Sequence, residues 1–545
     1  MDEASFYNHV ETFVMWLLER SPAMATQMGV HTWDDRLADC SLAAIGETEA
    51  GLKQFLAEFA ECKSSTFSSA AHVDLALVIQ LIKSMLREHT GQTFHLRNPG
   101  FYLSAALNGV FSLILKDFAP WPQRQASLIS RVHAVGDVLT AGKKNLQPKS
   151  VPPVWAEVAL EQAQMGQALF MEMIPAMADS PEAADQLKEA GKKAAAAMDD
   201  FAAYLQEAVL PQAAGSYAAG KELFEAMLKE DHLVDYDSEE LLATGWRLFE
   251  ETKTEMENLA KQIDPQKTAE EIMEEVKNNH PAADGLLDAV RSAMEAARDF
   301  VVKHDLAGIP EGERLKIIET PLFLRPLIPI AAYITPGIYD TSLTGVFMAT
   351  PPNPSDPADV AEAKLKGQHF AKLPVTALHE AYPGHHLQLV WAAKYGSTAR
   401  KLGSLLSTLF IEGWAFYCEE MMEQAGFITA PEQRMGRLHD QLWRAARIIL
   451  DVSLHCKNMS IAEAVDFLVT RCRLEPGNAL AEVRRYTLSP TQPQSYLMGK
   501  LEILRIVEQY REIYPHHSLR TMHDTILSCG SLPPKLLKEA LFSAK

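Results

Sequence analysis

Residues 241–263 read LLATGWRLFEETKTEMENLAKQI, with Leu242, Trp246 and Phe249, then Met256, Leu259 and Ile263, at three- and four-residue spacing. That period matches the helical turn, so these side chains form one apolar stripe. Asp237 followed three residues later by Glu240 is a capping-box pattern, in which each side chain accepts from the other residue's backbone N–H and opens the helix. The same spacing recurs upstream in FLAEFAEC (55–62) and LALVIQLIKSML (75–86). From residue 5 to about 300 the chain predicts antiparallel helices, broken at Pro148 to Pro153 and near Pro265, with no repeat or low-complexity linker.

Between 313 and 352 the texture changes to ERLKIIETP, PIAAYITP and TGVFMATPP, where β-branched and aromatic residues bounded by Pro and Gly predict a small sheet. Such a sheet can be purely structural. It can also hold an extended substrate as an added strand, and GVFMAT (345–350) lies just ahead of the His-rich segment described next. From 370 onward the pattern is helical again. The expected fold class is therefore mainly α with a small β-sheet near residues 313–352, residues 1–300 forming an N-terminal helical lobe and 301–545 a catalytic lobe.

The segment LPVTALHEAYPGHHLQLV (373–390) carries His379, Glu380, His385 and His386. A zinc hydrolase needs two imidazoles on one side of an ion and a carboxylate to take a proton from water. In the usual HExxH helix the two His are four residues apart and share a face. Here the gap is six or seven residues, which on a straight helix is roughly 10 Å and too far to share an ion. Pro383 and Gly384 can shorten it, because Pro removes a helix hydrogen bond and Gly accepts unusual dihedrals. Treating Pro-Gly as an insertion makes His385 the second ligand; His386 is the alternative, and as a non-ligand it can hydrogen-bond water or substrate. The competing structural reading is a set of imidazoles capping a helix end at the surface.

STLFIEGWAFYCEEMMEQAG places Glu412 among Phe410, Ile411, Trp414 and Phe416, where a carboxylate must turn outward or find a cation. Lying 33 residues after His379, it suits the third-ligand role, and Glu419 two turns later can orient a ligand from behind. In RAARIILDVSLH, Arg447, Asp451 and His455 form a polar stripe that reads either as an ion ladder or as a face turned to a cleft. EVRRYTLSPTQPQSYLMGK offers Arg485, Tyr486, Gln492 and Tyr496; Tyr486 and Tyr496, with His455, are candidate donors to a developing oxyanion, and a packing role for either tyrosine fits the spacing equally well.

A net charge of −20 disfavours nucleic acid and anionic membranes as partners, so any basic subsite must be local. Six scattered cysteines without a CxxC pair, an acidic N-terminus without a cleavage site and the lack of an 18-residue uncharged apolar run predict a cytoplasmic protein without a membrane span.

Together, AMATQMGVHTWDDRLADCS, YITPGIYDTSLTGVF, HEAYPGHHLQ, EGWAFYCEE, RAARIILDVSLH, RRYTLSPTQPQSYLMGK and MHDTILSCGSLPPKLL resemble the bacterial and fungal family grouped as domain of unknown function 885. That resemblance implies kinship with gluzincin metallopeptidases and a mostly helical enzyme with a central cleft, similar in outline to angiotensin-converting enzyme and helical carboxypeptidases. Thr491 and Pro493 stand where the family usually has Gly and Ala, which implies a reshaped loop before Tyr496. The expected activity is hydrolysis of a peptide or small amide by Zn²⁺ held on His379, His385 and Glu412, with Glu380 as general base and His386, His455, Arg485, Tyr486 and Tyr496 around it. The alternatives are a tailoring hydrolase acting on a non-peptide amide or ester, and a catalytically silent helical binding protein.

Overall fold

A computed structural model describes residues 2–62, 66–321, 325, 328 and 331–542. Pro329 and Ile330, which open the expected strand PIAAYITP, lie outside the described residues. The chain is mainly helical with one small sheet, as its periodicity requires. Helix Ser238–Ile263 opens on the Asp237–Glu240 capping box, and the helix Trp121–Asn145 ends before the proline-rich break at 148–153.

Two compact units divide the chain: Met1–Ser68, Val78–Ala219 and Gly337–Thr341 form the first, and Ser69–Leu77, Gly220–Pro336 and Ser342–Lys545 the second. The main boundary falls at 219/220 rather than near 300. The reason is packing: helix Ser238–Ile263 lies against Pro431–Cys456, with Gly245 so close to Ile448 and Ile449 that a Cβ there would come within 2.9 Å of Ile448.

In the first unit, helices Pro99–Leu115, Trp121–Asn145, Pro153–Ala168 and Pro181–Tyr204 bury Tyr102, Leu128, Val135, Phe170, Met198 and Phe201. Arg131 is fully buried among them. Its Nη1 donates to the Gly109 carbonyl and Ser112 Oγ, and its Nη2 to Thr26 Oγ1 and the Pro22 and Trp33 carbonyls. Among the described residues one stretch, Ser69–Arg97, is long and apolar enough to cross a membrane, although Asp74 and Lys83 interrupt its apolar run. Its Ala71, Val73, Leu77, Val78, Leu81 and Ile82 are buried in the protein, and that packing accounts for its apolar face.

The second unit holds the sheet, in the order β1 (Glu313–Glu319), β3 (Leu343–Ala349), β2 (Ala331–Ile334). β1 runs parallel to β3 with Glu313 opposite Leu343, and β2 antiparallel with Tyr333 opposite Phe347. GVFMAT therefore falls largely on the central strand, hydrogen-bonded on both sides, and has no free edge to offer a substrate; the edge strands are β1 and β2. Six helices then position the residues singled out from the sequence: α1 (Leu373–Glu380), α2 (His385–Tyr395), α3 (Leu409–Gln424), α4 (Pro431–Cys456), α5 (Pro476–Leu488) and α6 (Ser495–Ile513). α3 and α6 touch backbone to backbone, since a Cβ on Gly413 would lie 2.3 Å from Gly499. Only glycine permits that approach, and it fixes the height of Glu412, one residue earlier on α3.

Candidate metal centre

α1 stops at Glu380 and α2 restarts at His385, so Pro383 and Gly384 interrupt the helix as their chemistry demands. Gly384 folds under the end of α1, where its N–H donates to the Leu378 carbonyl at 3.0 Å. A Cβ on Gly384 would sit 1.8 Å from the His379 carbonyl oxygen, so no larger residue fits. The Pro383 carbonyl accepts from the Trp414 indole N–H of α3 at 2.8 Å, tying the connection to the helix that carries Glu412. The result is a ring-centroid distance of 4.7 Å between His379 and His385, in place of the roughly 10 Å of a straight helix.

One ligand atom each from His379, His385 and Glu412 lies within 4.8 Å of the others, a spacing that can hold a metal ion. His379 Nδ1 donates to Glu419 Oε1 at 2.7 Å, which leaves Nε2 to face outward. His385 Nε2 is 3.5 Å from Glu412 Oε2, while His385 Nδ1 and Glu419 Oε2 are buried with no hydrogen-bond partner among the described residues. Burial works against the charge on Glu412, but the hydrogen bond to His385 and the charges of His385, His379 and Arg447 hold its carboxyl below the usual range. Burial likewise works against protonation of His385, and Glu412, Glu380 and Glu419 outweigh it and hold the imidazole above its usual value. Two imidazoles and a carboxylate gathered in a buried setting are a donor set that a cation could satisfy.

A cavity of about 430 Å³ adjoins the three residues. Glu380 lines it, with Ala331, Ala332 and Tyr333 of β2, Phe347 of β3, Arg444 and Arg447 of α4, and Tyr496 of α6. The structure brings His379, Glu380, His385, Glu412 and Tyr496 to one cavity.

His386 is placed elsewhere. It is fully buried, with Nε2 donating to Glu313 Oε1 at 2.6 Å and Nδ1 2.8 Å from the Tyr333 hydroxyl. Tyr382 donates to the same Glu313 carboxylate. Burial opposes the Glu313 charge, but His386 and Tyr382 hold it below the usual range. His386 thus backs Tyr333, and His385 takes the position facing Glu412.

His455, Arg485 and Tyr486 do not line the cavity either. His455 Nε2 donates to the Tyr486 carbonyl at 3.0 Å, and burial pushes its pKa down to about 4. The Tyr486 hydroxyl donates to Glu482 at 2.8 Å and accepts from Arg447 Nε at 3.1 Å; Arg485 pairs with Glu482 and Gln492. Tyr486 touches the cavity residue Arg447 directly, and Arg485 shares the Glu482 carboxylate with it. Two lining residues escaped the sequence reading. Arg444 sits one turn before Arg447 on α4, so helical spacing alone points it the same way. Tyr333 gave no such signal, because its partners come from strands and helices far along the chain.

Solved structures share this fold at full length. One, described as "a putative lipoprotein of unknown function" from Shewanella oneidensis, is 24% identical, with 99% of each chain covered and a TM-score of 0.80. Another, described as "the putative lipoprotein" from Colwellia psychrerythraea, is 16% identical over 99% of each chain, with a TM-score of 0.82. Their lipoprotein descriptions overturn the cytoplasmic expectation, which rested on cysteine usage and on an N-terminal pattern that cannot assign a compartment. Among curated proteins none matches. The family model of bacterial proteins of unknown function, DUF885, matches residues 22–541, and the chain belongs to that family.

Proposed function

We propose that the protein is a zinc-dependent hydrolase that cleaves peptide or amide bonds. The observation that carries this reading is the convergence of His379, His385 and Glu412 within 4.8 Å beside a cavity lined by Glu380. Two imidazoles and one carboxylate, with Glu419 fixing one imidazole from behind, form the donor set of catalytic zinc sites, which keep a further position open. When bound there, zinc would lower the pKa of a water and polarise the scissile carbonyl.

Glu380 takes the proton from the attacking water and passes it to the leaving amine. Tyr333 and Tyr496 line the same cavity; the Tyr333 hydroxyl is engaged by His386 Nδ1 at 2.8 Å, so Tyr496 is the phenol available to donate to the oxygen on which charge develops. Ala331 and Ala332 present the outer edge of β2 to the cavity, and among the described residues no strand pairs on that side. An extended peptide can add there as a strand, with backbone hydrogen bonds holding it in register. The lipoprotein descriptions of the similar structures support an envelope setting for this activity.

Metal analysis of the purified protein, paired with hydrolysis of short peptides before and after chelation, tests the proposal. Stoichiometric zinc and chelator-sensitive turnover are expected. Replacing Glu380→Gln should keep the metal and lower turnover by about 10²–10⁴-fold; unchanged turnover removes Glu380 as the base.

A further inference from the structure

Two guanidinium groups on the cavity wall are left with work undone. Arg447 is 5% exposed, and its Nε and Nη2 are engaged by Tyr486 at 3.1 Å and Glu482 at 2.9 Å. Its Nη1 is buried with no hydrogen-bond partner among the described residues. Arg444, one turn earlier, bonds Asp440 through Nη1 at 3.2 Å, while its Nε is also buried without a partner. Both residues line the cavity that Glu380, His385 and Glu412 line. A buried charged donor without an acceptor is costly, and an acceptor brought by a ligand removes that cost.

The surroundings fix the geometry. The Trp443 and Tyr496 rings each lie 4.5 Å from the Arg447 guanidinium carbon, so its plane is held between aromatic surfaces. Glu482 and Tyr486 hold its other nitrogens, so Nη1 cannot turn to another acceptor without giving these up. Burial opposes the charge on Arg447, but Tyr486, Tyr496 and Glu482 beside it hold its pKa above the ordinary guanidinium value. Arg444 and Arg447 place two guanidinium groups on the wall of a cavity that Glu380 and Glu412 also line, with Asp440 and Glu482 as their ion-pair partners.

We infer that Arg447, assisted by Arg444, binds a carboxylate of the substrate, so that the preferred substrates are peptides or N-acyl amino acids with a carboxylate close to the scissile amide. This deepens the hydrolase reading above and rests on it for the word substrate. Arg binds carboxylates through directed, charge-assisted hydrogen bonds, which a neutral amide cannot match. The carboxylate can come from a free chain end or from an acidic side chain.

The test compares three probes on the full-length protein as purified: N-acetyl-glycyl-phenylalanine, its C-terminal amide, and an amidated peptide of equal length carrying Asp. Binding by titration calorimetry and hydrolysis rates are both read. The free acid or the Asp peptide should bind about tenfold or more tighter than the neutral amide, and whichever does so identifies the source of the carboxylate. Arg447→Met should abolish that gap and Arg447→Lys should restore part of it. Arg444→Gln, at a more exposed position, should narrow it, and carries the test should Arg447→Met fail to fold. A carboxylate binding the metal alone would give a gap that neither arginine variant changes, and that result overturns the inference, as does equal binding of acid and amide. Turnover without a carboxylate preference removes the subsite and spares the hydrolase; a carboxylate preference without turnover does the reverse.

Discussion

Arg131 in the first unit and Arg447 in the second are both buried guanidinium groups, yet their hydrogen bonds end differently. The Nη1 and Nη2 of Arg131 reach five oxygens, from Pro22, Thr26, Trp33, Gly109 and Ser112, leaving only Nε without a partner. Burial pushes its pKa down to about 10, with Asp34 pulling the other way. Arg447 lines a cavity, and its buried Nη1 has no hydrogen-bond partner among the described residues. A buried charge closed on its own chain stabilises one arrangement of segments, whereas one left open is matched to something the chain does not contain. Closed polar groups should report on stability and open ones on ligand, and that distinction can be broken experimentally.

Acid should show the largest effect. His232, His455 and His523 of the second unit are buried, hydrogen-bonded and pushed down to about 4 by burial. An unfolded imidazole titrates near 6.5, so the unfolded chain binds more protons as pH falls from about 6.5 to about 4, and stability is lost across that window, on the order of several kcal/mol. It is fully present above the window. Hydrogen exchange at pH 7 and 4.5 should show the second unit losing protection first; equal loss in both units would contradict these closed imidazoles as the cause.

Arg131→Met comes next, at about 3–5 kcal/mol of unfolding free energy, because five acceptors lose their donors. Denaturant unfolding measures it, and metal content should not change. A stable Arg131→Met protein would undo the contrast with Arg447.

Glu419→Gln touches an open group, since Glu419 Oε2 has no partner while Oε1 orients His379. Metal affinity should fall about 10–100-fold, measured by competition with a chelator, with little change in unfolding of the metal-free protein. Destabilisation without loss of metal affinity would move Glu419 to the closed class. Smallest is Asp237→Ala, which removes a helix cap at the surface and should cost about 1 kcal/mol in a denaturant titration, with the site unaffected.

What the sequence made legible follows from distance along the chain. The Asp237 cap, the helical stripes and the Pro-Gly break between His379 and His385 are local, and local dihedral and spacing rules reach them. Glu412 was visible because a carboxylate amid Phe410, Ile411 and Trp414 violates the pattern of an apolar helix. Tyr333, Glu313 and His386 form one hydrogen-bonded chain across a sheet and a helix, and nothing in the spacing of 313, 333 and 386 announces it. Tyr486 and His455 carried the right chemistry but pack inward, because the stripe that holds Arg447 at the cavity turns His455 toward the backbone of α5. The chain's division at 219/220 was hidden for the same reason, as helix Ser238–Ile263 looks alike whichever neighbour it covers.

The indole of Trp414 has a consequence for how the site tolerates disturbance. Because it hangs the loop between the two imidazoles on the helix bearing Glu412, a displacement of that helix carries all three donors in concert. The His379–Glu419 bond is a second tie to the same helix, so Trp414→Phe should slacken the connection while keeping every donor atom and that second anchor.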